Sequence, residues 1–415
     1  MMQAMTAAVA AMAFAISGQT APGTTTRPVL SKAEAEPFTP ETYLRYSGLY
    51  SAPVADPWRP KPIATGRPDY LVGGHGFASV QQAVNAAFRD GGAARRWIGV
   101  LPGTYTGTVF IPAGTPPLTI FGLGRPAEVR LEFTIDATVT PAVWAEQVNA
   151  AGRYAEGDPA WPMFRSCATK TSATAGLCAT VVWAQSTDLQ LKGLTITNTL
   201  LDTVDRGTHQ ALALRTDADR TQLENMRLIS RQDTFLANAD DVTRIARVSV
   251  RDTYLEGDTD FVFGRAAAVF TGTHFHLVSS RKAGGGVIFA PNTAPNYPYG
   301  FLVTHSRITA DAAYQTAPTG YLGRAWDQGA SATGYLPGST PNGQLVIRDS
   351  LIGAGFNTVT PWASAATTAR PFTARIDEGR DLNDVDHNRL WEHANRLTAA
   401  PAPAAGTTTS PGTRR

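Results

Sequence analysis

Residues 191–198 read LKGLTITN, and similar phrases return as LENMRLIS at 223–230, VRDTYLEG at 250–257, VTHSRITA at 303–310 and IRDSLIGA at 347–354. Each phrase has the pattern of a strand, a short turn with a polar residue, and a second strand. The phrases return at uneven intervals. This spacing favours a parallel β-helix whose loops vary in length, with a β-sandwich as the alternative.

Other short segments of alternating apolar residues also predict strands, and Gly, Asn and Asp separate them. The clearest lie at 97–100, 109–111, 118–120, 189–191, 194–196, 212–214, 226–229, 248–250, 301–303 and 345–347. Helical periodicity is clearest at Ser79–Arg89, where Val80, Ala83, Val84 and Ala87 fall on one face. The chain is therefore predicted to be all-β with one leading helix.

The composition of the 415-residue chain is that of a globular protein, with 43% hydrophobic and 17% charged residues. The formal net charge of +2 argues against nucleic acid or a strongly anionic membrane as the main partner. A local basic groove remains compatible with an acidic polysaccharide. Beyond the N-terminus, no apolar run approaches the roughly 20 residues of a membrane-spanning helix, so no membrane span is expected.

Composition divides the chain into four segments. An apolar run near the N-terminus fits the hydrophobic region of a secretory signal, so residues 1–22 are assigned to a signal segment although no Lys or Arg precedes the run. Residues 23–62 are rich in Pro, Thr and Ala and are expected to form a linker or a surface arm. The main domain is expected over 63–398 and a disordered tail over 399–415.

The two cysteines, Cys167 and Cys178, lie close together in one polar stretch. Neither has a His or a second Cys at metal-ligand spacing, so no metal site is expected. A disulfide that closes a short loop is expected if the protein is exported. Two unpaired thiols are the alternative.

Polar residues interrupt four apolar strands. They are Gln210 in HQALALRTDADR, Gln232 and Asp233 in ISRQDTFL, Asp260 in YLEGDTDFVFG, and Arg324 in YLGRAWD. Each has an ordinary alternative role: an aspartate caps a turn, a glutamine is solvated, and an arginine stacks on a surface tryptophan. Asp260 is the strongest candidate, because an acid among apolar residues is costly unless it is paired or neutralised.

These residue types together can hydrolyse an ester. An aspartate paired with Arg324 stays ionised and can attack a carbonyl carbon. A second, desolvated aspartate can stay protonated and donate to the leaving oxygen. Glutamine amides can donate hydrogen bonds to the oxyanion. No Gly-x-Ser-x-Gly motif suggests a serine nucleophile instead.

Several ordered motifs over roughly residues 69–396 resemble the pectinesterase family, whose members remove methyl esters from homogalacturonan. The motifs are GGHGFASVQQAVNAA, VLPGTYTGTVFIP, HQALALRTDADRTQLENMRLISRQDTFL, YLEGDTDFVFG, YLGRAW, FNTVTPWA and HNRLWEHANR. The resemblance implies a single-stranded right-handed parallel β-helix with a short N-terminal helix cap. Coils stacked in register would bring residues that are distant in sequence to one site.

The resemblance also implies roles for the polar residues. Asp260 would be the nucleophile, held ionised by Arg324, and Asp233 the general acid and then the general base. Gln232 and Gln210 would build the oxyanion hole. The expected substrate contacts are Trp326, which would stack on a sugar ring, Phe263, which would line its subsite, and Thr259, which stands where Val or Ile is common in the family.

An insertion at about 137–179, which contains both cysteines, resembles the bacterial pectinesterase B-like branch of cell-envelope enzymes. The protein is therefore expected to be secreted, or periplasmic and associated with the outer membrane, although no cysteine follows the apolar run to carry a lipid. Its expected partner is methylesterified pectin or oligogalacturonides, and it is expected to be a monomer without a cofactor. An acyl-CoA thioesterase or other esterase, and a non-catalytic carbohydrate-binding β-helix, are the alternatives.

Overall fold

Strands recur three to a turn in the computed structural model, which describes residues 22–46, 48–330 and 334–398. Each turn adds one strand to each of three parallel sheets, and each strand pairs with those one turn before and after it. For example, Leu189–Lys192 lies between Leu118–Gly122 and Thr221–Glu224. This arrangement is a parallel β-helix. The all-β parallel architecture is confirmed and the β-sandwich was wrong, while the right hand and single-stranded winding stay predictions.

The three sheets are named here by the order in which the chain enters them. Sheet 1 consists of Tyr70–Val72, Arg96–Val100, Leu118–Gly122, Leu189–Lys192, Thr221–Glu224, Arg247–Arg251, Ala267–Thr271, Phe301–Thr304, Gln344–Arg348 and Arg389–His393. Sheet 2 consists of Gly103–Thr106, Val129–Phe133, Thr195–Asn198, Arg227–Ile229, Tyr254–Gly257, His274–Leu277, Arg307–Ala310, Leu351–Ile352 and Arg396–Leu397. Sheet 3 consists of Val109–Ile111, Thr180–Ala184, Leu212–Thr216, Phe235–Ala237, Val262–Gly264, Val287–Pro291 and Tyr321–Gly323.

The repeated sequence phrases are the corners between sheet 1 and sheet 2. At each corner one residue adopts a left-handed backbone conformation with φ between 49° and 68°, namely Gly193, Asn225, Asp252, His305 and Asp349. Glycine adopts this conformation without steric cost, and Asn, Asp and His adopt it more readily than other side chains. The need for this conformation explains why a small or polar residue returns between two apolar strands.

A helix at Val80–Asp90 packs against the first strands of sheets 1 and 3. Its predicted apolar face is buried in the core that the three sheets enclose. Ser79 caps its N-terminus by accepting a hydrogen bond from the backbone of Gln82. The other helical segments are Lys32–Ala35, Pro40–Arg45, Pro141–Val148, Trp161–Ala168 and Ala312–Thr316, with 3₁₀ turns at Pro126–Glu128 and Gly176–Cys178.

The insertion between sheet 2 and sheet 3 has its own small core, which the strand pattern of the sequence does not predict. Its helices Pro141–Val148 and Trp161–Ala168 pack together around an aromatic cluster of Phe110, Trp144, Tyr154 and Phe164. Cys167 and Cys178 form a disulfide beside this cluster. The insertion is therefore a packed unit on the side of the β-helix.

The described part of the N-terminal arm packs on the outer face of sheet 1. It starts with an antiparallel pair, Gly23–Thr24 with Arg27–Pro28, and the fully buried Tyr43 belongs to one apolar cluster with Val346 and Trp391. The arm thus behaves as part of the folded body, while its predicted boundaries stay a prediction. Apart from Pro22, the signal segment predicted over 1–22 lies outside the described residues, as does the predicted tail at 399–415.

Candidate active site

The predicted site residues lie where the chain enters sheet 3. Gln210 pairs with Gln232, and Gln232 pairs with Thr259, as parallel bridges one coil apart. The backbone N–H of Asp233 donates to the carbonyl of Thr259 over 3.0 Å. Phe235, two residues after Asp233, pairs with Val262, two residues after Asp260. The two aspartates therefore occupy equivalent positions in successive coils, although they lie 27 positions apart in the sequence.

Asp233 and Asp260 both have left-handed backbone conformations, with φ of 67° and 47°. Such a conformation costs energy for a residue with a side chain, and it persists only where the surroundings impose it. Two such residues stand at the same step of adjacent coils, just before the strands Phe235–Ala237 and Val262–Gly264. Backbone strain of this kind clusters at functional sites.

Asp260 forms a bidentate ion pair with Arg324. Nε of the guanidinium donates to Oδ1 over 2.8 Å, and Nη2 donates to Oδ2 over 2.5 Å. Arg324 is fixed from the backbone, because its N–H donates to the carbonyl of Phe289. A guanidinium that grips both oxygens stabilises the ionised carboxylate and sets its orientation. Burial lowers the pKa of Arg324, but the charges of Asp260 and Asp233 outweigh this and raise it above the ordinary value.

No cation in the described parts of the chain forms an ion pair with Asp233, and only 4% of its surface is exposed. Its Oδ2 accepts a hydrogen bond of 2.7 Å from the amide of Gln210. Burial, followed by the nearby negative charge of Asp260, raises the pKa of Asp233 well above its ordinary value. The protonated form of Asp233 is therefore favoured beside Asp260.

The two glutamines differ in how their amides are held. The Oε1 of Gln232 accepts from the backbone N–H of His209 over 3.0 Å, while its Nε2 donates to no other described residue. Gln210 uses one N–H for Asp233 and has a second available. Both amides can thus offer a donor to a substrate oxygen, although Gln210 does so while bound to the acid.

A buried ion pair that the sequence did not reveal anchors the loop before Gln210. Arg281 donates to both carboxylate oxygens of Asp258, over 2.8 and 3.0 Å. The same guanidinium donates to the carbonyls of Asp205 and Gly207. Asp258 is fully buried. In the sequence, its position in the motif EGDTD, two residues before Asp260, was the signal that could have indicated this ion pair. The pair ties the loop at 205–207 to the coil that carries Asp260.

The three expected substrate contacts also lie on this side of the molecule. The rings of Phe263 and Trp326 are 5.7 Å apart and tilted by 57°. Phe263 is 3% exposed and packs with Leu236, while Trp326 is only partly buried. Thr259 is 8% exposed and stands next to Asp260. The structure brings every predicted site residue apart from the cysteines to the turns and strands of sheet 3.

Neither a metal cluster nor a membrane helix is found within residues 22–46, 48–330 and 334–398. No group of three or more His, Cys, Asp or Glu side chains there could hold a metal ion. No helix among these residues is long and apolar enough to cross a membrane.

Comparison with known proteins decides the family. A family model described as Pectinesterase matches residues 165–336. Pectinesterase B of Dickeya dadantii is 52% identical over 393 residues, which cover 91% of each chain. The chain belongs to the pectinesterase family. The family, its pectinesterase B-like branch and the enzyme class predicted from the motifs are confirmed.

Solved pectinesterase structures share the fold along most of their length. The rice weevil pectin methyl esterase has a TM-score of 0.83 and 38% identity, covering 91% of this chain and 99% of that one. An Escherichia coli protein, YbhC, has a TM-score of 0.84 and 41% identity, covering 93% of this chain and 98% of that one. YbhC carries the provisional name of an acyl-CoA thioester hydrolase. The pectinesterase scaffold thus occurs under names that refer to two kinds of ester.

Proposed function

We propose that this pectinesterase removes methyl esters from homogalacturonan, with Asp260 as nucleophile and Asp233 as acid and base. The observation that carries the proposal is the contrast between the two aspartates. Asp260 is held by both arms of Arg324, whereas Asp233 is buried and has a raised pKa. One ionised and one protonated carboxyl group side by side supply a nucleophile and a general acid.

In the proposed first step, a carboxylate oxygen of Asp260 attacks the ester carbonyl carbon. The negative charge that develops on the carbonyl oxygen is stabilised by N–H groups of Gln232 and Gln210. Asp233 gives its proton to the methoxy oxygen, the C–O bond breaks, and methanol leaves. The product of this step is an anhydride between Asp260 and the galacturonate carboxyl group.

In the second step, water hydrolyses this anhydride. Asp233, now ionised, takes a proton from the water as it attacks the galacturonyl carbon, and Asp260 leaves as the carboxylate. Arg324 stabilises the charge that returns to Asp260. Trp326 and Phe263 offer aromatic faces to the sugar ring, and Thr259 contacts it beside the nucleophile. The galacturonic acid group that is released loses its proton to solvent, so the cycle consumes one water and yields methanol, galacturonate, one proton and the original enzyme.

Methanol release from highly methylated pectin tests the proposal. Asp260→Asn is expected to abolish release, and Asp233→Asn to lower kcat by about 100-fold or more, the usual contribution of a general acid. The exposed Asp386 provides a matched control, since Asp386→Asn should retain the parent rate. The assay runs from about pH 4 to about pH 9, which spans the ordinary titration ranges of acidic and basic side chains. If the parent released no methanol anywhere in this range, the proposal would be overturned.

A thioesterase is the second candidate, because the chain is 42% identical over 403 residues to the provisionally named E. coli thioester hydrolase. The same nucleophile and acid could cleave a thioester, with the thiol as leaving group. Assays with short-chain and long-chain acyl-CoA would separate the two functions. Release of free CoA without release of methanol from pectin would establish the thioesterase instead.

We further propose that the protein works outside the cytoplasm, as a monomer. The disulfide between Cys167 and Cys178 supports an oxidising compartment. Labelling of free thiols in protein taken directly from cells tests the location, because two labelled cysteines would contradict it. Light scattering of the purified protein tests the oligomeric state. A mass twice that of one chain would overturn the proposal that the protein is a monomer.

A further inference from the structure

One outward row of sheet 3 extends from the expected sugar contacts to an arginine that the proposed mechanism does not use. Strand pairing aligns Trp183, Arg215, Leu236, Phe263 and Ala290, one from each successive coil. Their neighbours Leu214, Phe235 and Val262 lie in the internal core. Side chains alternate along a strand, so the row faces outward. At about 4.8 Å per strand, Arg215 lies about 10 Å along this face from Phe263.

The guanidinium of Arg215 is held in a defined position. Its Cζ lies 4.3 Å from the centre of the Trp183 ring, and its Nε donates to Oδ2 of Asp217 over 2.6 Å. The indole N–H of Trp183 donates to the same oxygen, and Asn238 donates to the other. The Asp217 side chain is fully buried. This network holds the cation over the tryptophan ring before any ligand arrives.

The two terminal nitrogens of Arg215 remain available. Neither Nη1 nor Nη2 donates to another residue in the described parts of the chain, and neither is buried without a partner. The side chain is 15% exposed. A guanidinium edge with free, parallel N–H groups matches a carboxylate, which accepts both hydrogen bonds and supplies the opposite charge. A methyl ester supplies no charge and is the weaker ligand.

We propose that Arg215, held on Trp183 by Asp217, binds a free galacturonate carboxylate at a subsite about 10 Å along sheet 3 from Phe263. This inference rests on the proposed function and adds a preference to it. The enzyme would act best on a methylated residue close to one already de-esterified.

Binding of a fully de-esterified galacturonate hexamer provides a test that needs no turnover. Calorimetry should show Arg215→Gln binding at least about tenfold more weakly than the parent, because a charge-assisted hydrogen-bonded pair is lost. Arg215→Lys keeps the charge and should recover part of the affinity. The affinity of the parent should fall with added salt more steeply than that of Arg215→Gln.

Arg227 offers a matched control on sheet 2. Its guanidinium stacks on Tyr254 at 4.5 Å, as that of Arg215 does on Trp183, but it lies on another face of the β-helix. Arg227→Gln removes the same charge from a similar stack and should bind the hexamer like the parent. Equal losses in Arg215→Gln and Arg227→Gln would show only a general effect of net charge and would overturn the proposal.

Turnover separates a binding role from a structural one. On partly de-esterified pectin, Arg215→Gln should raise KM about tenfold or more and leave kcat nearly unchanged. On fully methylated pectin, its kcat/KM should stay within about twofold of the parent. A loss of the same size on both substrates would overturn the proposal. A parent that binds the hexamer through Arg215 but releases no methanol would refute the proposed function while the anion site stands.

Discussion

Asp233 and Asp260 have the same side chain and the same backbone position in successive coils, yet they have different charged neighbours. Arg324 reaches Asp260 from two coils further on and neutralises it. Asp233 meets an uncharged amide and the charge of Asp260. A carboxylate paired with a guanidinium, beside a carboxyl group whose pKa is raised, suits the proposed roles of nucleophile and acid. In the proposed mechanism, the Arg324 side chain therefore distinguishes the nucleophile from the acid.

The raised pKa of Asp233 predicts how stability depends on pH. Folding raises this pKa, so the folded state keeps a proton that the unfolded state loses above about pH 3.9. The contribution of Asp233 to stability therefore falls as pH rises from about 3.9 towards the pKa of the folded state. Asp233→Asn removes the titration. The variant should melt a few degrees above the parent at neutral pH, and the gain should disappear near pH 4.

Calorimetric melting curves across this pH range measure the difference. Asp386→Asn, at an exposed position, should match the parent at each pH. An Asp233→Asn variant that melts below the parent at neutral pH would contradict the raised pKa. Activity should respond in the same direction: kcat of the parent is expected to fall as pH rises through the pKa of Asp233, because the general acid is lost.

The insertion at 137–179 is the element that departs most from the coil pattern. Its aromatic cluster reaches the β-helix through Phe110, whose ring lies 5.8 Å from that of Trp183. Trp183 in turn donates its indole N–H to Asp217. The insertion thus supports the residue on which Arg215 rests. Its disulfide joins two cysteines 11 positions apart, which belong to the core of the insertion.

Removing the disulfide should destabilise the insertion before the coils. The Cys167→Ser/Cys178→Ser double variant is expected to lose about 2–3 kcal/mol, the usual effect of opening a short loop. Limited proteolysis should then cut first within 137–179 and leave the remaining coils intact. The parent with reductant should behave like the double variant. First cleavage elsewhere in the chain would show that the insertion is not an independent weak point.

At the scale of the whole molecule, the arm at 23–62 ties the two ends of the described chain together. Arg27 forms a bidentate pair with Glu392 in the last strand of sheet 1, with distances of 2.8 and 2.9 Å. Arg380 donates to Glu34 and to the carbonyl of Val29. The arm also covers apolar residues on the outer face of sheet 1. An open β-helix would otherwise expose that face to water.

Tyr43 tests how much the arm contributes to stability. It is fully buried and hydrogen-bonds to the side chain of Gln344. Tyr43→Ala should lower the free energy of unfolding by about 3–5 kcal/mol, as large-to-small changes at buried aromatic residues do. Tyr46 lies nearby in sequence with 42% of its surface exposed, so Tyr46→Ala should change stability little. Similar urea midpoints for both variants would mean that the arm adds little to the fold.

The sequence predicted the local structure well because its signals are local. All ten predicted strand segments lie within or overlap observed strands, since alternation and turn residues act over a few positions. The helix from Val80 has its expected buried face. The two helices of the insertion were missed because each has only 8 residues. Two turns give too few positions to establish a helical period.

The sequence by itself determined the coil units and the family and supplied the candidate reactive side chains, because residue type and short-range periodicity carry that information. Only the tertiary structure decided which residues meet. The pairing of Arg324 with Asp260, the buried Arg281–Asp258 pair and the placing of Arg215 beside Trp183 depend on coil register. Loops of variable length set that register. Burial and charge then separate the two aspartates, and both depend on residues distant in sequence.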